Sequence, residues 1–393
     1  MAFHTVYAVI PLFLRELGAP NGIAVSVGGL FFVLIAIPQL IVAVLGRNVQ
    51  KLKPAVILVH TLVWFPLFLM GFIFTFVLPE GKMGWIIYMV LFSIYGLGLG
   101  VVVPIWVDFL NAVTLREKRG TFFGLSFALG GLGSFFGGAI LTIILNSSLV
   151  FPKNFGVGFF IFSFSTVVAT VVYFGYKVDE SRKKQSLRSL GEFLILTKTI
   201  ITGHHNFQKY ILSRFFYCAS FPAISLYAIY CQEKFGFNIS EAGTFTMINV
   251  FAAGVASYVS GSVGQKYGHK YGMIISYSAH LIAAILAVFS QNMIWVYSIF
   301  LCIGISAGAF MPSAMNLVYD FSGDRENKLY MALIDTFLAP VTVIFLLIAS
   351  FLTEWGYFLT AIIGIGGCLL VSLIILIFFV RDPRENSELF ANN

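Results

Sequence analysis

The chain has 393 residues, 59% of them hydrophobic and only 10% charged, and its mean hydropathy is +0.92. Soluble domains carry roughly 25% charged residues, so a water-surrounded globule is excluded and lipid is the solvent for most of this surface. The net charge of +7 does not point to nucleic acid, because that reading needs a basic patch on a folded polar surface.

Crossing a bilayer takes about 20 apolar residues in a helix. The chain opens MAFHTVYAVI, without the basic leader and cleavage site of a signal peptide. Its first apolar run, 1–14, reaches only ~21 Å against a hydrocarbon core of ~30 Å. The expectation is a chain that begins late, with part of the first helix missing. Five more runs follow at 22–46, 55–78, 85–110, 121–145 and 155–176. Six others lie at 210–232, 242–264, 271–290, 293–319, 329–352 and 357–380. The predicted fold class is an all-α polytopic membrane protein of twelve spans, the first one short.

The basic residues orient these spans. With the N-terminus inside, Arg15, Lys82, Lys153 and Lys234 fall outside, and the other twenty of the 24 lysines and arginines fall inside. That asymmetry follows the positive-inside rule and predicts cytoplasmic N- and C-termini. Anionic headgroups are then an expected contact. Arg214, near the inner end of its span, is expected to snorkel. Between the sixth and seventh runs lies the longest polar stretch, 177–209. It begins KVDESRKKQSLRS and continues with Leu187, Leu190, Leu194 and Ile201 near helical spacing. This predicts an amphipathic linker helix on the inner membrane surface. The expected organisation is a six-span bundle at 1–176, the linker, a second bundle at 210–380 and a tail at 381–393. His204 and His205 read as an exposed pair, not a metal site. Cys218, Cys231, Cys302 and Cys368 all lie in apolar runs without a CxxC pair, so they read as buried hydrophobes.

The two halves repeat. GRNVQK after the second span matches GSVGQK after the eighth, pairing Gly46 with Gly261, Gln50 with Gln265 and Lys51 with Lys266. Gly96, Gly100, Pro104 and Asp108 in the fourth span have the spacing of Gly304, Gly308, Pro312 and Asn316 in the tenth. A parallel repeat of six spans is a transporter architecture. In GSVGQKYGHKYG, at 261–272, the glycines follow a three-four-four spacing that predicts a stripe near one helix face. Beside it, Lys266 and Lys270 read as anchors to the inner membrane face.

GSVGQKYGHK resembles the signature loop of the major facilitator superfamily, with Gly261, Lys266, Gly268 and Lys270 in matching places. GRNVQKLKP resembles its first-half counterpart through Gly46 and Lys51, and LREKRGTFFG is similar in Arg119, Gly120 and Gly124. The resemblance implies that these loops latch the cytoplasmic side. Both depart from the family at Gln50 and Gln265, where it carries Asp, so a latch dependent on that charge is in question here.

The same resemblance implies that spans 1, 2, 4, 5, 7, 8, 10 and 11 line a cavity. Candidate polar points on them are Gln39, Trp106, Tyr217, Tyr227, Tyr230, Asn249, Asn316, Tyr319 and Asp335. An intramembrane acid such as Asp335 is a functional hypothesis by default. Three readings stay open: proton coupling, a bond to Arg47 or Lys51, and a solvated acid near a helix N-terminus. Asp108, close in sequence to Arg116 and Arg119, reads either as an inner-gate acid or as a plain helix-end charge. His60 and His280 fall on spans that the resemblance puts outside the cavity, so packing is their expected role; His4 stays a candidate on span 1.

No GxxxxGK[ST] loop occurs, which leaves secondary transport and no expected cofactor or metal. Few fixed positive charges lie within the spans, which favours a small neutral, amphipathic or cationic solute over a strongly anionic one. H+ is a candidate coupling ion. The expected partners are the solute and the lipid bilayer, without nucleic acid, around a monomer in a plasma or inner membrane. Two rivals are an intramembrane enzyme and a non-transporting sensor on the same fold. The enzyme reading is not favoured, since His60, His280 and Asp335 lie on different helices without a motif.

Overall fold

The computed structural model describes residues 2–45, 49, 51–113, 119–178, 205–322 and 327–383. Within these, 40–41, 43–45, 111, 119–128, 322, 327–333 and 335–336 are described by their backbone alone. The predicted linker helix falls in 179–204, outside the described residues.

The first half contains α1 (Val9–Glu16), α2 (Asn21–Leu45), α3 (Leu52–Phe72), α4 (Gly81–Val113), α5 (Arg119–Leu145) and α6 (Lys153–Val172). A short 3-10 turn, Ala2–His4, precedes α1. The second half contains α7 (His205–Tyr217), α8 (Ser220–Phe235), α9 (Glu241–Tyr267), α10 (His269–Phe289), α11 (Met293–Ser322), α12 (Asn327–Glu354) and α13 (Phe358–Ile374). Among the described residues, ten helical segments are long and apolar enough to cross a membrane. With the N-terminal segment and α5 they account for the twelve expected spans.

By internal contacts the chain forms two units. Unit 1 is Met1–Arg188 with Phe237–Met247, and unit 2 is Ser189–Gly236 with Ile248–Asn393. Helix α3 shows how a span of unit 1 divides its faces. Leu58, Leu62, Phe65, Phe68 and Phe72 form an exposed stripe. Val56, His60, Val63, Leu67 and Met70 form the buried one. Helical spacing puts the two sets on different faces, and packing decides which face is buried. The core of unit 1 is aromatic. The Phe13 ring lies 5.1 Å from Phe74, 5.1 Å from Tyr88 and 4.8 Å from Phe155.

The predicted repeat recurs in packing. A Cβ on Gly96 would press on Leu34 of α2, and one on Gly100 on Ile35 and Pro38. In unit 2, Gly304 meets Asn249 and Ala252 of α9, and Gly308 meets Ala253. Leu34 precedes Gly46 by as many residues as Asn249 precedes Gly261, and Pro38 likewise corresponds to Ala253. The paired glycines therefore touch paired positions. Small residues allow this approach, since helix association in lipid depends on close packing.

Two details differ from expectation. The seventh span is not one helix. The chain passes from α7 to α8 through Cys218 and Ala219, where Phe221 N–H bonds to the Cys218 carbonyl in a tight turn. Pro222 lacks the N–H that would have bonded to that carbonyl, and its ring clashes with it in a regular helix. The glycine stripe also does not lie along one helix. Gly261 and Gly264 sit in the last turns of α9, Gly268 stands between helices, and Gly272 belongs to α10. Gly264 faces His269, Gly268 faces Asp382, and Gly272 faces Ser313. What reads as a loop is a single residue with φ of +106°, a conformation suited to glycine.

Candidate functional site

In unit 2 a buried polar cluster surrounds the break in the seventh span. Tyr217 is the last residue of α7, and Cys218, Ala219 and Ser220 after it are all buried. The Tyr217 hydroxyl lies 3.2 Å from Ser276 Oγ on α10 and 3.0 Å from Ser306 Oγ on α11. Ser276 Oγ donates to the Ser306 carbonyl at 2.9 Å, and Ser306 Oγ lies 3.3 Å from His280 Nδ1. These bonds tie three spans together. Tyr277 stacks on the Tyr217 ring at 3.9 Å, and Phe310 lies parallel to that ring at 5.2 Å.

One turn before Tyr217, the Arg214 guanidinium lies 4.7 Å over the Phe310 ring and its Nη1 is 3.4 Å from the Tyr210 hydroxyl. Arg214 is 7% exposed, so it is a buried cation and not the snorkelling residue expected. Further along, the Tyr227 ring lies 6.0 Å from the His280 ring.

Three buried atoms of this cluster, Tyr227 Oη, Tyr277 Oη and His280 Nε2, have no hydrogen-bond partner among the described residues. Buried polar atoms are seldom left so, because each costs about 1–3 kcal/mol when unpaired. The cluster has donors and acceptors to offer a polar guest or water.

The predicted polar points divide. Tyr217 and Tyr227 come together around His280. Asn249 Nδ2 donates to the Phe300 carbonyl at 3.3 Å, bracing α9 on α11. Asn316 Nδ2 donates to Pro312 of its own helix at 2.8 Å. Tyr230 accepts from Lys234 Nζ at 3.2 Å, and Tyr319 is exposed. Gln39 is half-buried on α2. Trp106 packs beside the cluster of Leu52, Val56, Ile105 and Phe109 in unit 1. Asp335 is a residue of α12 described by its backbone alone.

Among the gate residues, Gly46 and Gln50 lie outside the described residues, and Arg119 and Gly120 open α5 with backbone only. Lys51 caps α3 and is exposed, and Asp108 is half-buried on α4. In unit 2, Gln265 and Lys266 are exposed, with Lys266 Nζ 4.9 Å over the Tyr267 ring. Lys270 Nζ donates to the Ile377 carbonyl at 2.9 Å, and the Asp382 carboxylate lies on Gly268. The signature segment is thus docked on the end of the last span.

Of the histidines, His60 bonds through Nδ1 to the Val56 carbonyl at 2.6 Å and lies 3.3 Å from the Tyr173 hydroxyl. His4 lies 2.9 Å from the Tyr88 hydroxyl, within an aromatic nest. Residues that sequence reasoning did not select are Ser276, His280, Ser306 and Arg214. Ser276 and His280 are four apart on α10, so they share a helix face. That pairing was the available signal.

Residues 210–392 match the family model for the Major Facilitator Superfamily. Across its length the chain is similar in structure to a D-xylose-proton symporter, at TM-score 0.68 and 13% identity, covering 98% of this chain and 94% of that one. It is similar to the nucleoside transporter NupG at TM-score 0.68 and 12% identity, covering 96% and 94%. A third likeness, at TM-score 0.66 and 13% identity and covering 97% and 96%, is to a partially occluded inward-open form of the xylose transporter XylE from E. coli. Identities this low carry the fold alone. No curated protein matches the chain in sequence.

Proposed function

We propose that this chain, a membrane protein of major facilitator fold whose C-terminal half matches that superfamily, is a secondary active transporter. Its cargo is a small neutral, amphipathic or cationic solute, moved by alternating access with H+ as coupling ion. The observation that carries this reading is the seventh span, broken at Cys218 and Ala219 beside the Tyr217–Ser306–His280 cluster. Irregular backbone at membrane depth is tolerated only where protein or a water-filled cavity surrounds it. Broken spans beside polar groups are where transporters hold cargo. Tyr217 and Tyr227 supply polar points on aromatic walls, as small-solute sites require.

The proton reading rests on Asp335, an acid within a span, and draws support from the neighbour named as a xylose–proton symporter. The twenty basic residues assigned to one side support cytoplasmic termini in a plasma or inner membrane. The test begins with thermal-shift screening of purified protein against sugars, amino acids, nucleosides and organic cations. A ligand at 100 times its dissociation constant stabilises by about 2.7 kcal/mol. The hit is then followed into proteoliposomes under an imposed pH gradient. Gradient-driven accumulation supports the reading, whereas a bound solute that never crosses the membrane would point to a sensor and overturn it.

A further inference from the structure

We infer that unit 1 carries a docking groove for an anionic phospholipid at the end of α3 and α6. A groove of about 370 Å³ is lined by Lys53, Pro54, Ile57, Leu58, Thr61 and Phe174. Four of these, at 54, 57, 58 and 61, form one stripe of α3. Thr61 spends its hydroxyl on the Leu58 carbonyl at 2.6 Å, so the wall is apolar in effect. Leu58 is 69% exposed and Phe174 60%, on the side where α3 also exposes Leu62 and Phe65. This is the stripe that faces bilayer, so an acyl chain is the neighbour it meets.

The rim supplies the preference. Lys53 Nζ donates to the Phe174 carbonyl at 2.7 Å, which fixes the ammonium at the head of the groove. An ammonium has three donors, so two remain for a ligand. Lys51 and Lys177 are exposed nearby. Leu52, between Lys51 and Lys53, shares a hydrophobic cluster with Tyr176 and Val178, which flank Lys177. Lys51 and Lys177 thus sit on the two chain segments that supply Lys53 and Phe174 to the groove. Apolar contact cannot select a lipid, because the tails already lie in an apolar solvent. Selection must come from the headgroup, and a basic rim favours a negative one by about fivefold per lysine.

The test is native mass spectrometry of the full chain in detergent. It is titrated with phosphatidylglycerol or with phosphatidylcholine of the same acyl chains. The expected result is retention of phosphatidylglycerol over phosphatidylcholine, with Lys53→Gln lowering it about fivefold. Lys82→Gln, on an exposed lysine of α4, should leave retention unchanged. Equal retention of the two lipids overturns the inference, as does an equal loss in both variants. Leu58→Trp, which fills the groove without altering charge, should also reduce retention; if it does not, the acyl chain lies elsewhere.

Discussion

Replacing Gly268 by Ala tests the docking of the signature segment on the last span. Gly268 has φ of +106° and ψ of 146°, a region that is essentially glycine-only and costs of order 1–3 kcal/mol for other residues. The new methyl would also occupy the position of the Asp382 carboxylate, whose Cγ would lie 2.7 Å away. Forcing that buried carboxylate aside adds about 1–3 kcal/mol through overpacking. A total loss near 3 kcal/mol is expected. Gly261→Ala is the internal comparison, since nothing lies within 4 Å of its Cβ and the site is helical. There the substitution should be neutral or gain up to ~1 kcal/mol. The assay is unfolding in mixed micelles, with Gly268→Ala, Asp382→Ala and the double variant forming a cycle. A coupling energy of about 1–2 kcal/mol is expected for two residues in contact. Equal stability of the two glycine variants, or zero coupling, would refute the reasoning.

Further predictions follow from other contacts. Gly308→Val should destabilise unit 2 by about 1–3 kcal/mol through overpacking against Ala253, whereas Gly130→Ala, with open space around it, should not register in the same unfolding assay. Tyr217→Phe removes the hydroxyl shared by Ser276 and Ser306. About 1 kcal/mol of stability should go with it, and solute binding by thermal shift should weaken more than folding does. Pro222→Ala restores a backbone donor to the break; it should raise stability while slowing vesicle uptake, and faster uptake would sink the role given to the break. Asp335→Asn should abolish the rise in uptake on acidifying the outside while leaving equilibrium binding in place; an unchanged pH profile would remove Asp335 from coupling.

The twelve spans and the glycine pairs of the repeat were legible in the amino-acid sequence, because hydropathy and the spacing of small residues are properties of a short segment. Gly96 and Gly304 were paired from spacing, and each meets the corresponding helix at corresponding positions. Side-chain direction was not legible. In a soluble helix the polar face marks water, but here lipid and protein interior are both apolar. Leu58 and Phe65 on one face of α3 are the same kinds of residue as Val63 and Leu67 on the other. Only packing distinguishes them. For that reason His280 looked like filler in its span, and its place beside Ser306, Tyr217 and Tyr227 emerged only when three spans were brought together. The apposition of Gly268 and Asp382, more than a hundred residues apart, has the same origin. A φ of +106° leaves the backbone open on one side, and tertiary structure alone decided that a carboxylate would occupy it.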